Sequence, residues 1–264
     1  MNQVLSFSSG KGGVGKTTLV ANLGALFAAS GRRTLLVDGD WSLGKLCILL
    51  GVRPTGTIDR VLSGKASLLE SIHPVRENLS LLASPSGVVG FEELSPDERN
   101  HLFFEIDALR DRYDVILLDH GSGIHAGVLQ FAAAAHSHFI VTTPEPTSYT
   151  DAYAIMKVLS QRFAIREFRL LVTQTRHGAE TAEAMARFCD VVRGHLAVRI
   201  TESGTFPWDA RVSESICQRR LFVDRHPDSE LTRLFRSLQS QIERTEPRVS
   251  SGLSFFHENS LPAR

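Results

Sequence analysis

The residues best suited to chemistry lie almost at the start of the chain, in the stretch SSGKGGVGKTTL at residues 8–19. A glycine, four residues and then Gly-Lys-Thr is the spacing of a phosphate-binding loop. An apolar run precedes the loop and an amphipathic segment follows it, as in the strand–loop–helix units that carry such loops. We therefore expect a nucleotide phosphate site rather than a glycine turn that binds nothing. The predicted phosphate-binding residues are Gly10, Lys11, Gly12, Gly13, Val14, Gly15, Lys16, Thr17 and Thr18.

The residue types in this loop would make different contacts. Glycines let the backbone pass close to a phosphate with its N–H groups turned inward, and the following helix N-terminus adds partial positive charge. Lys16 is expected at the outer phosphates, the Thr17 hydroxyl on Mg²⁺ and Thr18 at an inner phosphate. Lys11 is a second cation, and the loop itself leaves open whether it acts on a phosphate or is a solvated loop charge.

Aspartates that follow apolar runs could complete the site. Asp119 ends the run in YDVILLDHGSGI and is predicted to hold Mg²⁺ through its water. Gly121 and Gly123 follow at once, which predicts a mobile loop that senses a terminal phosphate. Asp38 and Asp40 end the run in LLVDGDW, at the strand edge where such sheets bind ligands. One of them could orient an attacking water, and the alternative for each is a cap or turn role.

Strand-length apolar runs alternate with helix-length amphipathic segments over residues 1–244, which predicts an α/β fold: a single P-loop NTPase domain with a mainly parallel, twisted sheet and helices on both faces. The predicted strands are Val4–Ser8, Thr34–Asp38, Leu79–Ala83, Asp114–Asp119, Phe139–Thr143, Phe168–Thr173 and Leu196–Ile200. The predicted helices are Lys16–Ala29, Ser95–Arg112, Thr150–Phe163, Ala179–Arg193 and Glu230–Arg244.

Residues 245–264 lose this periodicity. They are predicted to form a C-terminal tail that is either disordered or a weak membrane- or partner-docking segment. The apolar residues of the tail that could dock are Leu253, Phe255, Phe256 and Leu261.

Composition argues against several classes of protein. The chain has 29 basic and 29 acidic residues, so there is no overall positive field and we expect no DNA binding. No apolar run approaches the roughly 20 residues of a membrane span. The cysteines form no Cys-x-x-Cys pair, which indicates buried, reduced thiols and a cytoplasmic protein, at most peripheral at the inner face of the cell membrane. His120 is expected to be a surface histidine, with a role in tuning the loop after Asp119 as the alternative. The cysteines are Cys47, Cys189 and Cys217.

The motifs KGGVGKTT, VDGD and LLDHGSGI resemble those of the MinD/ParA family of deviant-Walker-A ATPases, and the resemblance extends to about residue 244. It implies that the protein binds ATP and Mg²⁺, hydrolyses ATP slowly and forms a homodimer with ATP. In that family the lysine matching Lys11 reaches the partner's ATP, and the aspartate matching Asp40 orients the attacking water. The resemblance thus implies catalytic roles for Lys11, Lys16 and Asp40, and metal binding by Thr17 and Asp119.

Residues 141–157, VTTPEPTSYTDAYAIMK, and residues 204–235 resemble the FlhG/FleN/YlxH group of flagellar number and placement regulators within that family. This implies a partner among flagellar regulators or switch and basal-body proteins. The alternatives are positioning of a division site, chromosome or cargo, and an ATP-sensing binding module without turnover. Pro144 and Pro146 are expected to hold the chain in a rigid loop, with Thr150 or Asp151 capping the next helix.

Two stretches depart from the family pattern. The family usually places an adenine-reading asparagine after the sixth strand, where LLVTQTR offers Thr173 and Gln174 instead. These two are predicted to contact the base, with Pro207 and Asp209 on the opposite wall. The stretch DGDWSLGKLC is also unusual and could select a different partner; its atypical residues are Trp41, Lys45 and Cys47.

Overall fold

The computed structural model of the protein describes residues 2–40, 44–84, 95–124, 126–176, 178–245 and 255. Within these ranges eight strands form one sheet, in the order β3-β4-β2-β5-β1-β6-β7-β8. The β3–β4 pair is antiparallel, and the other neighbouring pairs are parallel. The strands are β1 Gln3–Ser9, β2 Thr34–Gly39, β3 Ile72–Arg76, β4 Leu79–Leu82, β5 Val115–Ser122, β6 Ser137–Thr142, β7 Glu167–Thr175 and β8 Arg199–Pro207.

Helices cover both faces of this sheet, as predicted. Alternate side chains of a strand point to opposite faces, so Leu5 and Phe7 of β1 pack with the layer of α1 and α11, whereas Val4 packs with α5 and α6. The helices are α1 Lys16–Ala29, α2 Leu46–Leu50, α3 Ile58–Leu62, α4 Leu68–Ser71, α5 Pro96–Asp107, α6 Ala126–Ala133, α7 Pro146–Phe163, α8 Gly178–His195, α9 Ala210–Cys217, α10 Phe222–Arg225 and α11 Glu230–Glu243.

The predicted elements agree best where the apolar pattern is strong. Helix α1 has the predicted bounds, and most strands differ by one to three residues. The prediction Leu196–Ile200 is wrong, because β8 runs from Arg199 to Pro207 through a polar stretch. Among the described strands, β8 pairs with β7 and forms an edge of the sheet. Strand β3 contains Pro74 and forms the opposite edge of the sheet, where proline is tolerated. No strand was predicted at these residues.

The start of α7 also differs from the prediction. The helix begins at Pro146 with Glu145 as its N-cap, so only Pro144 lies outside it. Proline fits the first helical position because its missing N–H would have no intrahelical partner there. Neither Thr150 nor Asp151 caps the helix, and the Thr150 hydroxyl instead donates to the Pro146 carbonyl oxygen.

Part of the predicted tail is integrated into the fold. Phe255 is fully buried, with its ring centroid 4.3 Å from that of Phe103 and 5.2 Å from that of Phe131. Its N–H donates to the Ala134 carbonyl oxygen. Phe255 therefore packs into this chain's own core. The other apolar residues of the tail lie outside the described residues, namely Leu253, Phe256 and Leu261. Trp41 also lies outside them.

The exposure of the cysteines and the apolar character of the helices were also predicted. Cys189 is buried as predicted, but Cys47 is only half-buried and Cys217 is exposed, so the prediction of three buried thiols is wrong. Among the described helices, none is both long enough and apolar enough to cross a membrane.

Candidate nucleotide site

The phosphate-binding loop connects the end of β1 to the start of α1 at the carboxyl edge of the sheet. Gly13 and Gly15 have φ of +79° and +83°, in the left-handed region that glycine tolerates. Gly15 is the N-cap of α1 and no side chain caps the helix there. The first backbone N–H groups of α1 are thus available to an anion, which the helix dipole also favours.

Gly10 is required for a different reason. A Cβ atom at this position would lie 2.4 Å from the Cβ atom of Asp151 on α7. Such a contact is far below van der Waals distance, so any side chain at residue 10 would push α7 away from the loop. The first glycine of the motif therefore serves packing between the loop and α7.

Lys16 is buried and forms an ion pair at the base of the site. Its Nζ lies 2.6 Å from Oδ1 of Asp119, and the exposed fractions of the two side chains are 7% and 1%. Nζ also donates to the carbonyl oxygen of His120. The second carboxylate oxygen, Oδ2 of Asp119, is buried with no hydrogen-bond partner among the described residues. Such an orphaned oxygen fits the carboxylate that a hydrated Mg²⁺ requires.

The two aspartates after β2 have different environments. Asp38 is buried, and its carboxylate accepts hydrogen bonds from the N–H groups of Asp40 (3.1 Å) and Leu46 (3.0 Å). Burial, followed by the negative charge of Asp119 beside it, raises the pKa of Asp38 to about 7. Asp38 thus holds the two ends of the segment 40–46 together, a structural role that the sequence left open.

Asp40 faces the cavity and is paired with a lysine. Oδ2 of Asp40 lies 2.9 Å from Nζ of Lys45, and the aspartate side chain is 13% exposed. Both residues line the same cavity as the phosphate-binding loop. Of the two aspartates, Asp40 is the one that lines this cavity. Lys45 brings a third lysine to this cavity, which sequence reasoning had noted only as an unusual residue.

Lys11 lies on the rim of the site. Its side chain is 44% exposed, and its Nζ lies 2.6 Å from Oε2 of Glu145, the N-cap residue of α7. The Lys11 ammonium is consequently held within its own subunit by an exposed ion pair. Exposed pairs of this kind are worth about 0–1 kcal/mol, so the lysine can exchange its partner at little energetic cost.

The cavity beside the loop has a volume of about 460 Å³, in the range of small-molecule sites. One end contains the phosphate-binding loop with Asp40 and Lys45, and the other reaches the segment after β8. The cavity brings together most of the predicted site residues. Those lining it are Lys11, Gly12, Gly13, Val14, Gly15, Lys16, Thr17, Thr18, Asp40, Thr173, Gln174, Pro207 and Asp209.

Thr173 and Gln174 line the cavity and also contact the phosphate-binding loop. The Thr173 hydroxyl lies within hydrogen-bond distance of the carbonyl oxygens of Val14 (2.5 Å) and Thr142 (3.1 Å). Nε2 of Gln174 donates to the Gly13 carbonyl oxygen over 2.7 Å, with the Gln174 backbone at φ +58°. These donors thus brace the phosphate-binding loop.

The segment after β8 forms the opposite wall. Asp209 is the N-cap of α9 and forms an ion pair with Arg211 at 2.6 Å. Hydrogen bonding to Arg211 lowers the pKa of Asp209. Between Pro207 and Asp209, Trp208 also lines the cavity and is 51% exposed. The sequence analysis did not single out Trp208. The signal that could have identified it is an aromatic residue between Pro207 and Asp209.

His120 is not a surface residue, contrary to the prediction. It lies within β5 and is buried, on the face of the sheet opposite to Asp119, against residues of α5 and α6. Burial, followed by the charge of Lys16, lowers its pKa to about 3. Strand β5 continues to Ser122 rather than ending at Asp119, so the predicted loop starts only at Gly123.

Known proteins match this chain over most of its length, both in sequence and in structure. The AAA_31 family model, described as an AAA domain, matches residues 2–164. The antiactivator FleN of Pseudomonas aeruginosa is 30% identical over 241 residues, which cover 91% of this chain and 86% of FleN. The crystal structure of the cell division ATPase MinD of Pyrococcus furiosus is 25% identical, with a TM-score of 0.76, and covers 92% of this chain and 99% of that one. The chain belongs to the MinD/ParA family.

Within the MinD/ParA family the chain is also similar to YlxH of Helicobacter pylori, described as a flagellum site-determining protein. The two are 33% identical over 197 residues, which cover 73% of this chain and 65% of YlxH. The comparisons confirm the predicted family, its similarity to the FleN and YlxH group, and the predicted fold.

Proposed function

We propose that this MinD/ParA-family protein is a Mg²⁺-dependent ATPase that acts as a molecular switch and dimerises when it binds ATP. The observation that carries the proposal is the buried Lys16–Asp119 pair at the end of a phosphate-binding loop, with one carboxylate oxygen of Asp119 unpaired. A lysine and an acidic group that neutralise each other without ligand can separate when phosphates and a divalent cation arrive, so each then finds an opposite charge.

Each residue has a distinct part in the proposed reaction. Lys16 turns from Asp119 to the terminal phosphates, while the Thr17 hydroxyl and Asp119 hold Mg²⁺. The metal, when bound, neutralises negative charge on the phosphate oxygens. Asp40 accepts a hydrogen bond from a water and directs its oxygen at the γ-phosphorus. As the bond between this oxygen and the γ-phosphorus forms, the bond from the γ-phosphorus to the bridging oxygen breaks, and the protons of the water leave with the phosphate product or pass to solvent, giving ADP and phosphate. Lys45 fixes the position of Asp40.

Dimerisation is proposed to depend on Lys11. Its exposed pair with Glu145 is exchanged for the triphosphate of a second copy, which adds positive charge where negative charge develops. Because the lysine gains a stronger partner only when ATP occupies the other subunit, ATP favours the dimer. We propose residues 1–244 as the ATPase unit, to which Phe255 of the remaining segment is packed.

The biological role proposed is regulation of flagellar number or placement. Its support is the similarity to FleN across most of the chain and to YlxH, a protein named for determining the flagellar site. The similarity to MinD, named as a cell division ATPase, supports positioning of a division site as the second candidate. We expect affinity capture with the ATP-bound protein to retain flagellar regulators or basal-body proteins; capture of division proteins instead would favour the second candidate.

The biochemical proposal is tested by sedimentation of the wild-type protein alone, with ADP and with ATP, combined with phosphate release. We expect a monomer with no nucleotide and with ADP, a dimer with ATP, and phosphate release that stops in Lys16→Ala. An ATP-dependent dimer without phosphate release would identify an ATP-sensing module, and no response to ATP would contradict the proposal altogether.

A further inference from the structure

Trp208 is unusually placed for an aromatic residue. Its side chain is 51% exposed beside the nucleotide cavity. Its backbone is anchored, because the Trp208 N–H donates to the Thr175 carbonyl oxygen over 2.9 Å. The guanidinium carbon of Arg176 lies 5.2 Å from the centroid of its ring, the geometry of a cation–π contact. The indole is therefore held in place and still open to a ligand.

The ring stands between two cavities. Trp208 lines the nucleotide cavity and a second one of about 650 Å³, whereas Arg176 lines the second cavity. Arg176 thus lies on the side of the second cavity, while the half-exposed ring of Trp208 also borders the cavity that contains the phosphate-binding loop. Trp208 therefore offers an aromatic surface in the same cavity as the phosphate-binding loop, at the end away from Asp40 and Lys45.

We infer that Trp208 is the stacking surface for the nucleotide base, with Arg176 as the residue that positions its ring. The inference rests on the proposed binding of a nucleotide. It is supported by Thr173 and Gln174, each of which donates a hydrogen bond to a loop carbonyl oxygen, so these donors are engaged with the phosphate-binding loop. The larger ring system of a purine covers more of an indole than a pyrimidine does.

Stacking predicts a specific pattern of affinities. Loss of an aromatic base platform costs about 5- to 150-fold in affinity per base, whereas contacts to the phosphates are unaffected. Trp208→Ala should therefore weaken Mg·ATP binding by about that factor and leave binding of Mg·tripolyphosphate, which has no base, unchanged. Trp208→Phe should retain most of the ATP affinity, and ATP should bind more tightly than CTP.

The experiment is calorimetric titration of the full chain with Mg·ATP, Mg·CTP and Mg·tripolyphosphate. The variants are Trp208→Ala, Trp208→Phe and Arg176→Gln, with Val191→Ala as the matched control because Val191 is 53% exposed on α8. Arg176→Gln should weaken ATP binding by about 2- to 5-fold, the size of an exposed cation–π contact, again without changing tripolyphosphate binding. Val191→Ala should bind all three ligands like the wild type.

A spectroscopic readout keeps the inference testable if Trp208→Ala fails to fold. The chain has two tryptophans, so Trp41→Phe leaves Trp208 as the only one. Its fluorescence should be quenched by ATP and not by tripolyphosphate. Unchanged ATP affinity in Trp208→Ala, equal loss of both ligands, or no quenching would overturn the inference. If the wild-type protein binds tripolyphosphate but not ATP, or neither ligand, the proposed ATP binding itself fails.

Discussion

The two ends of the nucleotide cavity are built on different principles. At the phosphate end, backbone N–H groups and a buried ion pair between Lys16 and Asp119 are fixed by the loop and two strand ends. At the other end, called the base end because we propose that the base lies there, the walls contain neutral hydrogen bonds, the Asp209–Arg211 ion pair and an exposed aromatic ring. The residues of the phosphate end therefore belong to short sequence motifs, whereas the shape of the base end depends on tertiary contacts between segments that carry no motif.

The buried and exposed ion pairs of the site also differ in how much they contribute to stability. A buried charge left without its partner destabilises a protein by about 3–5 kcal/mol, so the phosphate end tolerates few substitutions. Exposed pairs such as Lys11–Glu145 contribute about 0–1 kcal/mol. We therefore expect changes at the phosphate end to affect both folding and function, and changes at the rim to affect function alone.

The largest expected effect tests the buried pair. Lys16→Met leaves the Asp119 carboxylate buried without its cation, so the free energy of unfolding should fall by about 3–5 kcal/mol. Urea denaturation measures this. The double variant Lys16→Met with Asp119→Asn removes both charges and should regain much of the stability. Equal stability of Lys16→Met and the wild type would show that the pair does not form in solution.

Next in size is the effect of Asp40 on turnover. Asp40→Ala should lower the rate of phosphate release by about 100-fold or more, the range for a positioned acid–base group, and leave ATP affinity nearly unchanged. The ATP-bound dimer should then accumulate in sedimentation. As a comparison, Asp38→Asn should retain more hydrolysis than Asp40→Ala, because the Asp38 carboxylate accepts hydrogen bonds from the backbone N–H groups of Asp40 and Leu46. Hydrolysis lost in Asp38→Asn and kept in Asp40→Ala would reverse the assignment.

A smaller effect concerns the pH dependence of stability that arises from His138, a buried residue of β6. Burial lowers the pKa of His138 to about 4 from its ordinary 6.5. The unfolded chain therefore binds a proton that the folded protein does not, so this contribution to stability is complete above pH 6.5 and is lost as the pH falls toward 4.

Comparison of the wild type with His138→Gln isolates the contribution of His138 to the pH dependence of stability. Between pH 7 and pH 5 the wild type should lose about 1–2 kcal/mol more stability than the variant in urea denaturation. Asp38, whose pKa is raised to about 7, has the opposite sign: its contribution is present at low pH and is lost as the pH rises through 7. It is common to both proteins and cancels. Identical pH dependences would mean that His138 is accessible to protons in the folded state.

The smallest effect is expected at the rim. Glu145→Gln removes the partner of Lys11 and should change the free energy of unfolding by less than about 1 kcal/mol. Because the lysine is no longer held within its own subunit, the ATP-dependent dimer should form at slightly lower protein concentration. Thermal melts and concentration-dependent sedimentation measure the two quantities, and a large loss of stability would contradict the view that the rim serves function alone.

The position of the loop between β1 and α1, and of Asp119 within β5 beside it, agrees with the sequence because each part has a local signature. The loop spacing identifies Lys16 and Thr17, and an apolar run identifies Asp119. The base end was predicted less well: Thr173 and Gln174 lie in the cavity, but only tertiary contacts reveal that their donors bond Val14 and Gly13. Similarly, no local pattern indicates that Lys45 pairs with Asp40, or that Glu145 pairs with a lysine 134 residues away.

Edge elements and buried polar residues were the other failures. Among the described residues, strands β3 and β8 lie at the two edges of the sheet and pair on one side, where the apolar signal is weak. His120 was expected at the surface because it is polar, but its place within β5 turns it to the face covered by α5 and α6. Phe255 follows a stretch without periodicity, so its burial could not be predicted from pattern.

The central claim is that Lys11 joins two subunits through ATP, and sedimentation of Lys11→Ala tests it most directly. We predict that Lys11→Ala binds ATP yet stays monomeric under conditions in which the wild type becomes a dimer. A Lys11→Ala protein that dimerises with ATP as readily as the wild type would contradict the claim.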